Sequence, residues 1–500
     1  MSSNFFINQR KHDLTLIMHF IGHRKRSKAK VCQLALKNVS CLCLSFFVFP
    51  LSLLANPTVS PKTVDIENFS FSSKVLPDQL GYKLSFAEAL KQAYQHNHDL
   101  QLTVLAVRSA EATTASANTS PNPLLTVQTA NINPAQGVGS GSWRGKTVDS
   151  TLRLDQLIER GGKRRYRLQN ALELENAARD DQLDAMRQLR ISVSESYYEL
   201  LAAQEKLQIQ QEMVQLFERS LEAARKRKKA GDIAGVDIAR FEVDALRAQN
   251  DAREAVSELQ KAKRTLALLI GASSVQNIEA SDNWPALSVF SALSGLQENS
   301  IEKKFNAENE RSLVPAYLET LVQQRADVRA AQKRVTAALA AQQGAMALHT
   351  RDITVGVQFE HYPSSPVNNQ GSGNSYGLSA QIPLFINAHY QGEILSANAA
   401  LASAQETLEK TKAEARIDIQ NTWETLHAAS DQVNRFDQSL LKAASKSVKA
   451  AEFAFKNGAM GVIDLLDAQR TYRNTQLDAI TARTRYSQSL EAWHAETVTP

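Results

Sequence analysis

Lys163 to Lys229, KRRYRLQNALELENAARDDQLDAMRQLRISVSESYYELLAAQEKLQIQQEMVQLFERSLEAARKRKK, holds neither glycine nor proline, and Gly231 follows it closely. Alanine, leucine and long polar side chains lose little on entering a helix, whereas glycine and proline end one. At 1.5 Å per residue this stretch predicts one helix of about 100 Å, far longer than a single globular core needs. A return helix is expected from about Ile233 to Ile270, where Gly271 stops it.

The same plan is written twice along the chain. Ser85 and Glu88 make a capping-box pattern for a helix from Phe86 to about Asn118, ended by Ser120-Pro121-Asn122-Pro123. Extended segments at roughly 124–132 and 147–158, joined by a Gly/Ser-rich loop, lead into Lys163. The second half predicts a helix near Leu313–Leu348, strands near 352–362 and 375–385, and a long helix near His389–Lys456. The only glycine in that helix, Gly392, lies in its first turn; Gly458 breaks the chain and a return helix runs to about Trp493. Gly231-Asp232-Ile233-Ala234-Gly235-Val236-Asp237 answers Gly458-Ala459-Met460-Gly461-Val462-Ile463-Asp464 at an offset of 227 residues. Gln156-Leu157-Ile158 answers Pro383-Leu384-Phe385 at the same offset, and Tyr197 answers Trp423 one residue out of step. Solenoid periods run from roughly 20 to 50 residues, so this is a duplicated half-molecule. In each half two shorter helices together match one long helix, which predicts closed antiparallel pairs, and Ala397, Ala400 and Ala404 allow close packing.

Composition narrows the class. Spread alanine and leucine with few glycines or prolines is the composition of long helices. The formal charge of +5 is concentrated near the N-terminus, so the rest is near neutral and gives no support for nucleic-acid binding. Arg24-Lys25-Arg26-Ser27-Lys28-Ala29-Lys30 and Lys37, followed by an apolar run from Val39 to Ala55, read as an export signal at 1–55, with Met18 as an alternative start. A single transmembrane anchor is the other reading of that segment. The three cysteines, Cys32, Cys41 and Cys43, all lie inside it, so no disulfide or cysteine metal site is expected in the body, and no acylated N-terminus. The expected organisation is then an extension at 56–81, a first repeat at 82–271, an inter-repeat equatorial segment at 272–312, a second repeat at 313–495 and a tail at 496–500.

The strands bear on water against membrane. Ile353, Val355, Val357 and Phe359 alternate with Asp352, Thr354, Gln358 and Glu360. Tyr376, Leu378, Ala380, Ile382 and Leu384 alternate with polar or small residues, and Val148, Leu152, Leu154 and Ile158 do so against Asp149, Thr151, Arg153 and Asp155. Strands of about 10 residues with one apolar face and one charged face fit a transmembrane barrel with lipid outside and a wet lumen. An ordinary half-buried sheet shows the same period. Against it, helices of about 100 Å leave no globular body for a sheet to cover. Four strands do not close a barrel, whereas three copies supply twelve.

The doubled pattern, the Pro121-Asn122-Pro123 approach to the first strand, Gln156-Leu157-Ile158-Glu159-Arg160-Gly161-Gly162-Lys163-Arg164, and Gly458 followed by Asp464-Leu465-Leu466-Asp467-Ala468-Gln469 resemble the TolC-like outer membrane factors. The resemblance runs from about residue 82 to 495. The Gly161-Gly162-Lys163-Arg164 form is most similar to the CzcC-type branch, which serves heavy-metal exporters.

That resemblance implies a mainly α homotrimer: a twelve-stranded barrel in outer-membrane lipid and a long helical tunnel across the periplasm. It implies docking to a periplasmic adaptor and an inner-membrane pump of the RND type, with heavy-metal cations as cargo. Drug efflux or type I secretion through the same architecture remains an alternative, as does a soluble periplasmic coiled-coil scaffold. Asp464 and Asp467 match the acids of the family's periplasmic iris, and Asp237 matches their counterpart in the first repeat. Residues three apart share a helix face, so a threefold axis would gather these acids into a cation-selective ring; the alternative is solvated acids at a helix start. Phe455 and Met460 stand where the family's best-known member has a tyrosine and an arginine, and neither side chain donates a hydrogen bond of that kind. Arg225-Lys226-Arg227-Lys228-Lys229, between Glu222 and the turn at Gly231, reads equally as an adaptor contact and as a solvated basic face. His96 and His98 point to different helix faces, and no Ser/His/Asp set or metal-ligand cluster is placed as catalysis requires. The expectation is a passive duct, not an enzyme, without cofactor or resident metal.

Overall fold

The computed structural model describes residues 82–132, 148–272, 278–287, 305–306, 309–313, 315–362 and 373–497. The expected signal at 1–55 with Met18, the extension at 56–81, the two loops joining the strand pairs and the last three residues lie outside the described residues.

The expected long helix is present to the residue: α3 spans Lys163–Lys229. Before it come β1 (Tyr82–Leu84), α1 (Phe86–His96), α2 (His98–Ala117), β2 (Leu124–Ala130) and β3 (Asp149–Ile158). After it come α4 (Gly235–Ile270), β4 (Ile278–Ala280), β5 (Phe305–Asn306) and β6 (Asn309–Leu313). The order helix, two strands, long helix, return helix then recurs, through α5 (Pro315–Gln324), α6 (Ala326–Ala347), β7 (Ile353–Tyr362), β8 (Gly373–Gln381), α7 (Gln391–Arg435), α8 (Leu441–Lys456) and α9 (Val462–Thr497).

Three helices expected to be continuous are interrupted. The first breaks at Asn97, whose backbone is extended and whose side chain caps α2 by accepting from the Leu100 N–H at 3.0 Å. The helix expected from Leu313 breaks at Arg325, also extended, whose buried guanidinium reaches Asp327 at 2.6 Å and Glu496 at 3.1 Å. Between α7 and α8 a π-helical turn occupies Phe436–Leu440, where Asp437 meets Arg483 of α9 at 2.7 Å. The return helix runs a few residues past its expected end near Trp493: Glu496 lies within α9, buried, and is held by Arg187 of α3 at 2.6 Å.

The strands form one antiparallel sheet in the order β2-β3-β7-β8, so each half supplies a hairpin and the two hairpins pair through β3 and β7. The register lines up Val127, Leu152, Phe359 and Tyr376 in one row and Leu125, Leu154, Val357 and Leu378 in the next row of the same face. Thr126, Arg153, Gln358 and Gly377 make a row of the other face, as do Gln128, Thr151, Glu360 and Ser375. The apolar face is uncovered among the described residues: Leu378 is 86% and Tyr376 81% exposed. On the polar face Arg153 ion-pairs with Asp155 at 2.8 Å and donates to Ser379 at 3.2 Å, crossing β7 above Gly356. A Cβ at Gly356 would collide with both Asp155 and Ser379, which is why glycine stands there.

At the junction of sheet and helices Gly161, at φ +72, lies so close to Thr350 that a Cβ would come within 2.7 Å of its Cβ. The residues around it act as a clamp. Arg164 donates to Asn118 and Ser120, Arg167 to the carbonyls of Ala117 and Thr119, and Lys163 pairs with Asp352 at 2.8 Å. The end of α2 and the start of β7 are thereby held against the first turns of α3.

Two hydrophobic clusters fill the middle of the helical body. Tyr197, fully buried, donates to the Leu84 carbonyl at 2.9 Å among Phe86, Tyr198 and Trp284. Trp423 is buried against Trp493 with ring centroids 5.0 Å apart.

Candidate functional site

The two glycine turns end both long helices. Gly231 at φ +84 and Gly458 at φ +74 adopt the left-handed conformation that stops a helix without a Cβ penalty. A third hydrophobic cluster then unites the two hairpins: Met213, Phe217 and Ala224 of α3, Ile238 and Phe241 of α4, Ala451 and Phe455 of α8, and Val462, Leu465 and Leu466 of α9. Met460 and Ile233 pack against its edge. Of the sequence-predicted tip residues, Phe455 lies in this cluster and Met460 against it.

Asp464 and Asp467 lie on the solvent face of α9, opposite Leu465, Leu466 and Gln469. Among the described residues neither makes an ion pair within the protomer. With Thr471, Asn474 and Asp478 they continue an exposed polar stripe at helical spacing. Asp237, expected as the counterpart of these acids in the first repeat, is half-buried and pairs with Arg240 one turn on, at 3.1 Å.

The basic run divides by helical position. Arg225 pairs with Glu242 of α4 at 2.9 Å and Lys226 with Glu222 at 2.8 Å, so both are tied to their own hairpin. Lys228 and Lys229 are exposed, with no carboxylate partner among the described residues. Arg227 turns inward. Its Nη1 donates to the Phe455 carbonyl at 3.1 Å, and its guanidinium lies 4.9 Å from the centroid of the Phe455 ring. Phe455 in turn meets Phe241 at 5.8 Å. The first hairpin therefore supplies the cation and donor, and the second supplies the aromatic face and acceptor.

Three more polar links join the hairpins below this contact. Gln469, fully buried, donates to Ser220 Oγ at 2.9 Å; Arg470 makes two hydrogen bonds of 2.7 Å to the buried Asp244; Arg473 meets Asp251 at 2.9 Å. Sequence reasoning missed all four links. Arg227 was findable, because Phe217, Ser220, Ala224 and Arg227 fall on one helical stripe whose first three members are buried.

A second charged cluster lies at the far ends of α6 and α9. Arg325 joins Asp327, Asp418 and Glu496; Arg187 joins Asp184 and Glu496; Arg190 joins Glu491 at 2.7 Å. Its members pair with one another and form a collar tying α3, α6, α7 and α9. Among the described residues no group of three or more His, Cys, Asp or Glu side chains is placed to hold a metal ion, and no helix is long and apolar enough to cross a membrane.

Set beside known proteins, residues 89–272 and 317–494 match the family described as outer membrane efflux protein. The chain is 27% identical over 404 residues to the cobalt-zinc-cadmium resistance protein CzcC of Cupriavidus metallidurans, covering 79% of this chain and 86% of that one. It is 25% identical over 464 residues to the pyoverdine export outer membrane protein OpmQ of Pseudomonas putida, covering 87% and 92%. Its fold superposes on the CmeC outer membrane channel of Campylobacter jejuni with a TM-score of 0.66 at 14% identity, over 82% of this chain and 85% of that one.

Proposed function

The chain belongs to the outer membrane efflux protein family, an outer-membrane channel with a periplasmic helical part, and from that premise we propose that it is the passive exit duct of a tripartite exporter. Three copies assemble around one axis. The observation that carries this reading is the sheet: four strands, an uncovered apolar face, and unpaired outer edges on β2 and β8. Exposed leucines are costly in water and unpaired edges are costly in lipid, and both costs vanish when lipid covers the face and another copy continues the sheet. Three copies give twelve strands, with the rows of Arg153, Asp155 and Glu360 lining a wet lumen. Residues 82–271 and 313–495 act as the two repeats, with 272–312 as the belt between them.

The helical body then crosses the periplasm and its tip is the gate. Asp464 and Asp467 of three chains ring the axis, and the exposed Lys228 and Lys229 beside the turns face the periplasmic adaptor of an RND-type pump. The cargo is heavy-metal cations, a reading supported by the likeness to CzcC and by the acidic ring. The comparable likeness to OpmQ favours a second reading, an organic cargo chosen by the pump. A soluble scaffold does not fit a sheet with this uncovered apolar face.

Deleting the gene in its host and measuring growth against cobalt, zinc and cadmium salts, and separately against organic toxicants, tests the cargo. Sensitisation to metals alone is expected. Sensitisation to organic compounds alone overturns the metal reading, while a chain that leaves the membrane fraction with salt overturns the duct itself.

A further inference from the structure

The rim where the sheet meets the long helices carries two arginines that the duct does not use. Continuing the β3–β7 ladder two residues beyond Ile158 and Ile353 sets Arg160 opposite Arg351. The main-chain N–H of Arg160 donates to Asp352 at 2.9 Å, so the two segments do stay together past the last strand pair. By alternation Arg160 has the parity of Leu154 and Ile158, and Arg351 that of Val355 and Ile353. The alternation, carried past the strand ends, assigns both to the apolar face just beyond its last aliphatic row.

Like charges directly opposite one another are unfavourable unless something neutralises them. The nearby acids are already engaged. Asp352 takes Lys163 and the Arg160 main chain, and Glu159 takes Arg167 at 2.7 Å. Among the described residues neither Arg160 nor Arg351 has a carboxylate partner, and both are exposed. Arg351 lies over the Phe385 ring at 5.3 Å, and Phe385 meets Tyr390 edge-on at 5.2 Å. Leu384 and Ile386, on either side of Phe385, are 69% and 76% exposed. The Arg351 guanidinium beside an aromatic ring and exposed aliphatic residues, with Arg160 opposite it in the continued register, is complementary to an acidic headgroup joined to acyl chains.

We propose that Arg160 and Arg351 together bind the phosphate of an anionic phospholipid in the leaflet facing the long helices, with Phe385 and Tyr390 at headgroup level and Leu384 and Ile386 against the chains. The guanidinium forks suit phosphate oxygens bidentately. The leaflet follows from direction: α3 and α7 start at this rim and are too polar to lie in hydrocarbon. The site rests on the membrane placement of the sheet proposed above, and it makes lipid charge a determinant of how the channel seats in the bilayer.

The test uses full-length protein extracted in detergent, with phosphatidylglycerol, phosphatidylcholine and glycerol 3-phosphate as probes and retained lipid measured by native mass spectrometry. The wild type should retain phosphatidylglycerol over phosphatidylcholine. Arg160→Gln and Arg351→Gln should each lower that retention roughly five-fold, and the pair roughly thirty-fold, since each basic residue near a charged surface is worth about a factor of five. Arg165→Gln, which changes an arginine over Tyr166 in the first turn of α3, should leave it unchanged. Equal retention of the two lipids by the wild type, or undiminished retention by the double variant, overturns the site. Displacement by glycerol 3-phosphate at matching concentration overturns the lipid source in favour of a free phosphate ester. Should the double variant not reach the membrane, the wild-type lipid competition decides alone. Lost lipid selectivity in protein that still fractionates with the outer membrane refutes only this site, whereas wild-type chain absent from that fraction refutes the membrane placement.

Discussion

Removing the Arg227 side chain should loosen the tip while leaving the rest of the molecule intact. A hydrogen bond from a charged donor is worth about 1.5–3 kcal/mol, and a cation over an aromatic ring about 0.5–1 kcal/mol at exposed sites and more when desolvated. The Arg227 side chain is 22% exposed, so neither figure applies at its upper end, and about 2–3 kcal/mol is expected for both together. That corresponds to roughly a 30- to 150-fold shift in the population of tips whose hairpins have parted. Hydrogen exchange on the full-length protein should show the shift at the amides of 458–465, while the amides of α9 from 480 to 490 keep wild-type protection. Phe455→Leu keeps the carbonyl acceptor and removes the ring, which takes away about 0.5–1 kcal/mol of cation–ring contact and about 0.5–1.5 kcal/mol of buried packing against Phe241, together roughly a 5- to 70-fold change. The double variant should be less than additive by the cation–ring share, because the two residues touch. In planar bilayers Arg227→Ala should raise mean conductance or open probability. Wild-type exchange at 458–465 together with wild-type conductance in Arg227→Ala would show that the contact restrains nothing, and the reasoning fails.

Arginine at Val357 or Leu378 should cost about 2–4 kcal/mol near the bilayer midplane and reduce assembled, heat-modifiable protein, whereas arginine at Thr354 or Gln358 on the polar face should be tolerated; equal damage on both faces refutes the orientation of the sheet. Asp464→Ala combined with Asp467→Ala should lower cation selectivity in single-channel recordings and abolish block by divalent cations from the tip side, with assembly unchanged on native gels. Arg325→Leu should destabilise by about 3–5 kcal/mol, because it strands the buried Glu496 without one of its two cations; a clearly lowered thermal midpoint is the expected readout, and an unchanged one removes the collar from the list of structural supports.

How much was legible depended on whether the determinant was local. The limits of α3 follow from glycines and from the absence of proline, which act within one turn, so Lys163 and Lys229 could be named in advance. The faces of β3, β7 and β8 were equally legible, since period-two alternation needs no partner to be seen. The interruptions were different. Asn97 is a capping residue and could in principle have been marked, but its amide also donates to Leu269, far along the chain, at 3.1 Å. Arg325 carries no breaking signal at all, because its partners Asp418 and Glu496 arrive from distant helices. The acids of the tip were legible as a pattern but not in their pairing, and Asp237 turned out to be occupied by Arg240.

The distribution of these long-range pairs bears on how such a tip could move. At the collar, charges are shared: Glu496 bonds two arginines, and Arg325 reaches three carboxylates, so no single break frees a helix. At the tip the links are separate, each joining one residue of the first hairpin to one of the second, at Phe455, Gln469, Arg470 and Arg473. Such links can part in sequence from the turn upward, each at a cost of about 1–3 kcal/mol on top of the apolar packing between the hairpins. Any opening that spares the collar must therefore be absorbed between Arg473 and Glu491 on α9. Opposite that interval the partner helix departs from α geometry, at Phe436–Leu440, and only the Asp437–Arg483 pair there adds another ion pair between the two strands of the hairpin among the described residues. A π turn gives a long helix a place to bend that an unbroken hydrogen-bond ladder does not. The interruption that local sequence signals did not reveal thus lies where the proposed gate at the tip, with the collar fixed, would require the helix to yield.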